Sequence, residues 1–472
     1  MHICIIGTGA SGWIVSTMLK KFNFIKKITI IGSSKIPSIG VGESTTFNFV
    51  SQVLNEFELK KFVRETDAAV KYGVFYKNWS KRDYIHYFNF GKDFTRENTH
   101  VSIWGQMLAN KCPNIHIHDL IGNKIWNFIQ KNKVSFDVEE HAHSWHFDAG
   151  KFINFLKKIN LEDKKISFID DVIIDCKFSC DNSIEYVAGE SNTRYVADYF
   201  INCCGDNKLN VNVFKEEYIS LEPYLLTNKA LVLPLKYTDK KNQFHPYTES
   251  KTMNNGWRWI TPTQSRIGTG YVFSDNHISV DESTNEFLED IGDKTLEPFL
   301  VDFSPKYNAK PFKLNSCTIG MSSGFLEPLD APGLHISIIG TEILIQLLKY
   351  KNDSSKLFKY LNFLSKANST LEIEYQWWCS FILHQYKTCW RSDSQFWIDH
   401  KNVKCDFYDK IINSMYHVPI DLFKSHEYMM FYFTTAAKDI RWDSKTKQKP
   451  FPVEQLDTKT IHHLEYIQSF YE

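Results

Sequence analysis

Two tryptophans separated by one residue stand out among the side chains that could take part in chemistry. Trp257 and Trp259 lie in a strand-like run over residues 257–262, and alternate residues of a strand project from one face. Both indoles would therefore form a stiff aromatic wall that admits a small ion and excludes a larger molecule. Aromatic residues are also common in ordinary sheets, and the pattern alone favours a plain core pair.

A glycine-rich turn near the N-terminus has the spacing of a dinucleotide-binding loop. Gly7, Gly9 and Gly12 follow the apolar residues 3–6 and precede a helical pattern. The first glycine suits a tight turn, the second lets a pyrophosphate approach the backbone, and the third lets the helix pack closely. The next strand ends at Gly32, where an acidic residue usually binds ribose, so a neighbouring serine or a water would have to replace it.

The elements that must position these residues alternate between strands and helices. Residues 27–31 complete a βαβ start, and residues 197–205 and 319–325 predict further strands of the same nucleotide-binding sheet. Residues 230–273 alternate strand-like runs with turns and predict a second sheet that carries the tryptophan pair. Helical patterns rich in aromatic residues follow from about residue 341.

We therefore predict an α/β fold with a Rossmann-like (GxGxxG) module, an interleaved second β-sheet and a C-terminal helical module. The first module would span residues 1–345, with the sheet inserted at about residues 208–306. The helical module, residues 346–472, would bind the substrate. Neither a repeat nor a low-complexity linker separates the modules, so they are expected to be interleaved.

Composition excludes several classes of function. Lys plus Arg and Asp plus Glu both number 55, so no excess positive charge is available for nucleic acid or an anionic membrane. Residues 333–348 are apolar but interrupted by polar side chains, and the N-terminus enters a strand without a basic leader. The 10 cysteines are scattered, as reduced thiols would be. We predict a cytoplasmic protein without a membrane span, and the sequence leaves a homo-oligomer open.

A compact group of histidines, His141, His143 and His146, could suggest a metal. Glu139, Glu140 and Asp148 are the only carboxylates at ligand spacing. We predict no metal site.

Several motifs, taken in order, resemble the flavin-dependent tryptophan halogenases. They are residues 7–12, 39–45, 70–74, 257–262 and 325–330, supported by residues 146–148, 266–272 and 391–397. The resemblance covers most of the first 400 residues. It implies that the Rossmann-like module binds FAD and that a separate NAD(P)H-dependent flavin reductase supplies FADH2. Reduced flavin, O2 and a halide would yield hypohalous acid, which passes the Trp257 and Trp259 partition to a small aromatic substrate.

The resemblance also assigns roles to individual residues. Lys71 would be catalytic, either as an ammonium that hydrogen-bonds the hypohalous acid or as an amine that becomes a haloamine. Asp330 would also be catalytic, as the carboxylate that polarises the hypohalous acid or takes up the ring proton. Without the resemblance, Lys71 is more simply a surface lysine near Lys77. The residues implied to bind the cofactor are Gly7, Gly9, Ala10, Ser11, Gly12, Gly40, Val41, Gly42, Glu43, Ser44, Gly320 and Gly333.

The motif around Asp330 departs from the family. Residues 330–333 read Asp-Ala-Pro-Gly where the family usually has Glu-Ser-Thr-Gly. The halide would lie at Pro332 and Gly333, and proline has no N–H to donate. We predict a looser site that favours bromide or iodide over chloride. The family's lid does not align with residues 428–442, so the predicted substrate is an electron-rich aromatic such as an indole or phenol, not free tryptophan.

Two alternatives remain at this stage. A flavin-dependent monooxygenase or other oxidoreductase would share the glycine loop but would not need Lys71 or a wall of indoles. A non-catalytic flavin-binding relic is suggested by Gly32 and Pro332.

Overall fold

The computed structural model of the protein describes residues 1–36, 43–46, 49, 52–80, 83–87, 143–205 and 208–414. The helices in these ranges are α1 Ala10–Leu19, α2 Leu59–Thr66, α3 Ala149–Leu161, α4 Lys240–Gln243, α5 Val280–Ile291, α6 Pro332–Lys351, α7 Leu357–Thr388, α8 Gln395–Asn402 and α9 Asp406–Ser414. The strands are β1 His2–Ile6, β2 Lys27–Gly32, β3 Glu43–Ser44, β4 Ala69–Lys71, β5 Gly73–Lys77, β6 Tyr84–Tyr87, β7 Ser144–Phe147, β8 Ile166–Asp170, β9 Ile173–Phe178, β10 Ile184–Gly189, β11 Arg194–Tyr195, β12 Tyr199–Asn202, β13 Tyr218–Ser220, β14 Lys229–Lys236, β15 Thr248–Met253, β16 Gly256–Pro262, β17 Arg266–Phe273, β18 Phe299–Asp302, β19 Lys306–Asn308, β20 Ser316–Thr318 and β21 Gly324–Phe325.

The sheet at the N-terminus has the order β20-β12-β1-β2-β8, and all of its neighbouring strands run parallel. Helices α1, α3 and α6 pack together beside it, so its inner strands are continuous apolar runs. The predicted sheet is confirmed, although its last strand, β20, lies before the predicted residues 319–325, and β21 within that range belongs to another sheet. Strand β8, which adds an edge next to β2, was not predicted.

The sheet that carries the tryptophan pair has the order β18-β14-β17-β16-β15-β5-β6. Strands β14 to β17 account for the run predicted over residues 230–273. Strands β5 and β6 join them from an earlier part of the chain, because β5 runs parallel to β15 with Val74 beside Thr248. The sheet thus extends beyond the predicted insertion at about residues 208–306. The domain boundaries themselves stay a prediction.

A small antiparallel sheet, β3-β7-β4, contains Lys71. Its register sets Ser44 beside His146 and Lys71 beside Ser144. Cross-strand neighbours share a face, as do residues two apart on one strand. Ser44, His146 and Lys71 therefore stand on the same face.

The long helices α6 and α7 pack against each other. Residues 377–386 of α7 are buried without interruption, which is typical of a helix enclosed on all sides. Two further sheets have the orders β11-β10-β9 and β13-β19-β21, and the first of them packs against residues of β1, β2 and β12. None of the helices in the described ranges has both the length and the apolar character that crossing a membrane requires.

Candidate active site

The glycine loop between β1 and α1 has the shape of a phosphate cradle. Gly7 has φ +112°, and a Cβ on it would lie 2.7 Å from the Cys203 carbonyl oxygen. A Cβ on Gly12 would lie 2.2 Å from the Gly7 oxygen, whereas a Cβ on Gly9 would meet nothing within 4 Å. Helix α1 begins at Ala10 without a side-chain cap, so its first amides face the open space beside Gly9. This arrangement fits the pyrophosphate of FAD.

The start of helix α6 meets the same loop. Ser11 Oγ lies 3.2 Å from Ser337 Oγ, and Gly320, at φ +76°, would bring a Cβ to 2.5 Å from Ser11 Oγ. A Cβ on Gly333 would meet nothing within 4 Å. The fold therefore brings together Ser11, Gly320 and the first turn of α6, which are far apart in sequence.

A carboxylate that the sequence did not indicate lies next to Gly32, where an acidic residue usually binds ribose. Asp170, at the end of β8, pairs in register with Gly32. Its carboxylate accepts hydrogen bonds from the Ser34 hydroxyl at 2.6 Å and the Ser34 amide at 3.0 Å. The predicted replacement by a serine thus comes with a carboxylate on the adjacent strand.

The predicted strap between flavin and substrate is described only at its end. Gly40, Val41 and Gly42 lie outside the described residues, as does the side chain of Glu43. Ser44 ends β3, and its hydroxyl accepts a hydrogen bond from Lys71.

Lys71 is wholly buried, with 0% of its surface exposed. Its Nζ donates to Ser44 Oγ at 2.6 Å and to the Thr45 carbonyl at 3.2 Å. Burial lowers the pKa of Lys71 to about 7, and the nearby Asp330 carboxylate opposes that shift. The interpretation of Lys71 as a surface lysine is therefore wrong, because strands from two sheets enclose it. A buried amine that titrates near neutrality can act in either protonation state.

The Asp330 carboxylate is near enough to Lys71 to act on its charge, and one of its oxygens has no hydrogen-bond partner among the described residues. His86 Nδ1 lies 2.8 Å from Asp330 Oδ2, while Oδ1 is buried and has no hydrogen-bond partner among the described residues. Asp330 and Ala331 have φ +64° and +60°, and Pro332 then opens α6. This tight turn presents a buried acceptor to any proton donor that occupies the site.

The two tryptophans lie side by side on β16, as predicted. Trp257 is 2% and Trp259 7% exposed, and their ring centroids are 6.2 Å apart. A Cβ on Gly270 would lie 2.1 Å from the Trp259 ring, so the ring packs flat across the neighbouring strand. Ser250 of β15 pairs with Trp259, and Thr248, two residues before Ser250, shares that face of the sheet. The indoles and the surroundings of Lys71 therefore belong to one surface.

Trp257 is also held by Glu327, whose role the sequence did not reveal. Glu327 accepts hydrogen bonds from Trp257 Nε1 at 3.1 Å and from the Tyr386 hydroxyl at 2.8 Å, and the Thr227 hydroxyl donates to its other oxygen. Burial raises the pKa of Glu327 to about 7, although these hydrogen bonds oppose the shift. Because Tyr386 belongs to α7, this carboxyl group links the tryptophan sheet to the helical region.

His146 and His86 are two further residues whose contacts the sequence did not indicate. His146 Nδ1 lies 2.9 Å from the Pro262 carbonyl and its Nε2 lies 2.8 Å from Thr248 Oγ1. Both ring nitrogens of His146 are thus used in hydrogen bonds. Within the described ranges, no group of three potential ligands has the arrangement of a metal site; His141 lies outside them. His146 belongs to the motif of residues 146–148, whereas His86 carries no sequence signal beyond polarity in a strand-like run.

The chain is similar to known proteins over most of its length. The sequence model of a family described as tryptophan halogenase matches residues 2–444. Tryptophan 7-halogenase RebH of Lentzea aerocolonigenes is 26% identical over 427 residues, which cover 85% of this chain and 79% of RebH. A tryptophan halogenase structure from Shewanella frigidimarina covers 100% of this chain and 93% of its own, with a TM-score of 0.82 and 20% identity. Tar14, a tryptophan C-6 flavin-dependent halogenase (chlorinase) from taromycin biosynthesis, covers 99% of this chain and 95% of its own, with a TM-score of 0.78 and 18% identity.

Proposed function

We propose that this chain, which belongs to the tryptophan halogenase family, uses reduced FAD, O2 and a halide in a halogenation reaction. The substrate would be an electron-rich aromatic such as an indole or a phenol. The protein is a flavin-dependent halogenase. Bound reduced flavin would activate O2, which is the oxidant that converts halide to hypohalous acid. A separate NAD(P)H-dependent flavin reductase would supply the reduced cofactor.

The observation that carries this proposal is the buried pair of Lys71 and Asp330. A lysine with 0% exposure lowers the stability of the fold, because burial disfavours its charged form. Such a residue at this position is therefore evidence for a function. Beside it, Asp330 Oδ1 has no partner among the described residues. A small molecule that carries both a proton and an electrophilic halogen fits between an amine and an unpaired carboxylate oxygen.

The tryptophan pair would keep the organic substrate away from the flavin. Two packed indoles, with Trp257 fixed by Glu327, would exclude an organic molecule from the flavin while a small oxidant passes. Direct hydroxylation of the substrate is thereby avoided. An aromatic other than free tryptophan stays a proposal, because residues 428–442, on which it depends, lie outside the described ranges.

The halide preference rests on the start of α6. Pro332 is the first residue of this helix, and its cap has no side-chain hydrogen bond. An anion there would find the helix N-terminus but one N–H fewer than a chain without proline offers. Bromide and iodide lose their water more easily than chloride, and they are the proposed halides.

The test combines the purified protein with a flavin reductase, NADH, FAD, each halide and a panel of indoles and phenols. Mass spectrometry would detect halogenated products, and bromine would show its isotope pair. We expect product with the wild-type protein and none with Lys71→Met. Hydroxylated products alone, or halogenation that persists in Lys71→Met, would overturn the proposal.

A further inference from the structure

A continuous chain of hydrogen bonds connects Lys71 to the ring of His146. Lys71 Nζ lies 2.6 Å from Ser44 Oγ, and that oxygen lies 3.2 Å from Thr248 Oγ1. Thr248 Oγ1 in turn lies 2.8 Å from His146 Nε2. Both ends of the chain, Lys71 and His146, are 0% exposed. Neither end can exchange a proton directly with bulk water.

One carbonyl group fixes the direction of every bond in this chain. His146 Nδ1 lies 2.9 Å from the Pro262 oxygen, which can only accept, so Nδ1 carries the hydrogen of the neutral ring. Nε2 must then accept the single hydroxyl hydrogen of Thr248. Because the one hydrogen of the Thr248 hydroxyl is used in that bond, Thr248 accepts a hydrogen bond from Ser44. Ser44 in turn accepts one from Lys71. As long as His146 is neutral, Lys71 therefore points a hydrogen toward Ser44.

We propose that His146 is the internal proton acceptor for Lys71, reached through Thr248 and Ser44. When one proton moves along each of the bonds, Lys71 loses a proton and His146 Nε2 gains one. Each hydrogen bond reverses its direction and none is broken. Ser44, Thr248 and His146 are positioning residues, since they act on the reaction through Lys71.

The relay supplies the amine that the reaction with an electrophilic halogen needs, and to that extent it rests on the proposed function. The Lys71 ammonium and hypohalous acid give the N-halo amine, water and one proton. The lysine N–X bond forms, the O–X bond breaks, and the surplus proton goes to His146. Transfer of the halogen to a ring carbon returns the ring proton to the lysine nitrogen. His146 then returns its own proton, and the ammonium is restored.

The electrostatics make His146 a transient acceptor, because burial, the larger cause of its lowered pKa, persists after the transfer and favours return of the proton. Burial lowers the pKa of His146 well below its ordinary value, and the charge on Lys71 lowers it further. That repulsion disappears once Lys71 has lost its proton. The other charged groups on the elements packed around the pair have partners of their own: Asp148 with Arg266, Asp67 with Thr263 and Ser265, Glu249 with Lys77, and Asp330 with His86. The side chain of Glu43, opposite Phe147, lies outside the described residues.

The first measurement needs neither flavin nor substrate. Nitrogen-15 NMR of histidine-labelled full-length protein near pH 7 reports which ring nitrogen of His146 carries hydrogen, with His146→Gln providing the assignment. The expected result is a neutral ring protonated on Nδ1. A ring protonated on Nε2, or a doubly protonated ring, would overturn the proposal because the bonds would then run the other way.

The second measurement interrupts the series of hydrogen bonds at Thr248. Thr248→Val removes the hydroxyl and keeps the shape, so Lys71 would have to lose its proton by another route. The expected kcat for halogenation falls by about 100-fold at pH 6, the scale of a lost proton-transfer group. The loss shrinks toward pH 9, because Lys71 is already an amine there. Thr248→Ser keeps the hydroxyl and restores activity.

Thr66→Val is the matched control, since Thr66 is also buried and its hydroxyl donates to the Phe62 carbonyl within α2. A loss in Thr248→Val that is equal at all pH values would indicate a structural defect and overturn the relay. A halogen-trapping reagent separates the two proposals. If the wild-type protein yields no trapped halogen, the proposed function fails. If it halogenates substrate and Thr248→Val behaves like Thr66→Val, only the relay fails.

Discussion

The indole nitrogen of Trp257 donates to Glu327 Oε1 across 3.1 Å. Both residues are almost fully buried, and Glu327 also accepts from Tyr386 of α7. The orientation of the indole is thus fixed by a directional bond as well as by packing. A tryptophan held in this way keeps its ring in one plane, which a partition between two chambers requires.

Trp257→Phe should remove this donor while keeping an aromatic ring. Glu327 loses one of the hydrogen bonds that oppose the effect of burial, so its pKa should rise further. The lost bond should lower the free energy of unfolding by about 1–3 kcal/mol. Infrared detection of the protonated carboxyl during a pH titration, together with chemical denaturation, measures both effects. A Glu327 pKa at or below that of the wild type would contradict this account.

Glu327→Gln should change how stability depends on pH. Burial raises the Glu327 pKa from 4.5 to about 7, so the folded chain retains a proton that the unfolded chain releases between these values. The free energy of unfolding therefore falls as pH rises through this window, by roughly 3 kcal/mol. Chemical denaturation at pH 5 and pH 7 should show this fall in the wild type and a smaller one in the variant. Equal slopes in both proteins would rule the effect out.

Lys71→Met should abolish halogenation and stabilise the fold. Burial lowers the Lys71 pKa from 10.5 to about 7, so the unfolded chain binds the proton more tightly between these values. Stability is lost as pH falls through this window, by up to roughly 5 kcal/mol. The free energy of unfolding of the variant should exceed that of the wild type by more at pH 7 than at pH 9. Lys77→Met, at a half-exposed lysine of the next strand, is the control and should show no such difference.

Pro332→Ser should shift halide use toward chloride. The substitution restores a backbone N–H at the first position of α6, where an anion interacts with the helix N-terminus. Competition between equimolar chloride and bromide, read as the ratio of products, measures the change. An unaltered ratio would show that the halide binds elsewhere.

Asp170→Asn should weaken binding of FAD. The carboxylate lies in register with Gly32 and is oriented by Ser34, at the position where ribose hydroxyls are bound in this kind of fold. We expect the Kd for FAD to rise about tenfold, the effect of losing one charge-assisted hydrogen bond. Asp163→Asn, beyond the opposite end of the same strand, is the control. Equal FAD affinity in Asp170→Asn and the wild type would contradict the assignment.

The sequence alone determined the features that depend on local periodicity. The strand, turn and helix around Gly7, Gly9 and Gly12 were predictable because the spacing of these glycines between an apolar run and a helical pattern is a local signal. Trp257 and Trp259 were predictable as neighbours on one face because alternation is a property of a single strand. The motif around Lys71 drew attention to that lysine through resemblance to a family.

Only the tertiary structure decided what surrounds these residues. Lys71 is buried because β3, β7 and β15 converge on it from positions up to 177 residues away, and no local pattern encodes that enclosure. The same convergence joins Glu327 to Trp257, Asp170 to Gly32 and His146 to Thr248. Hydrogen bonds and pKa values depend on which groups displace water from a side chain, and that is settled only when distant segments pack together.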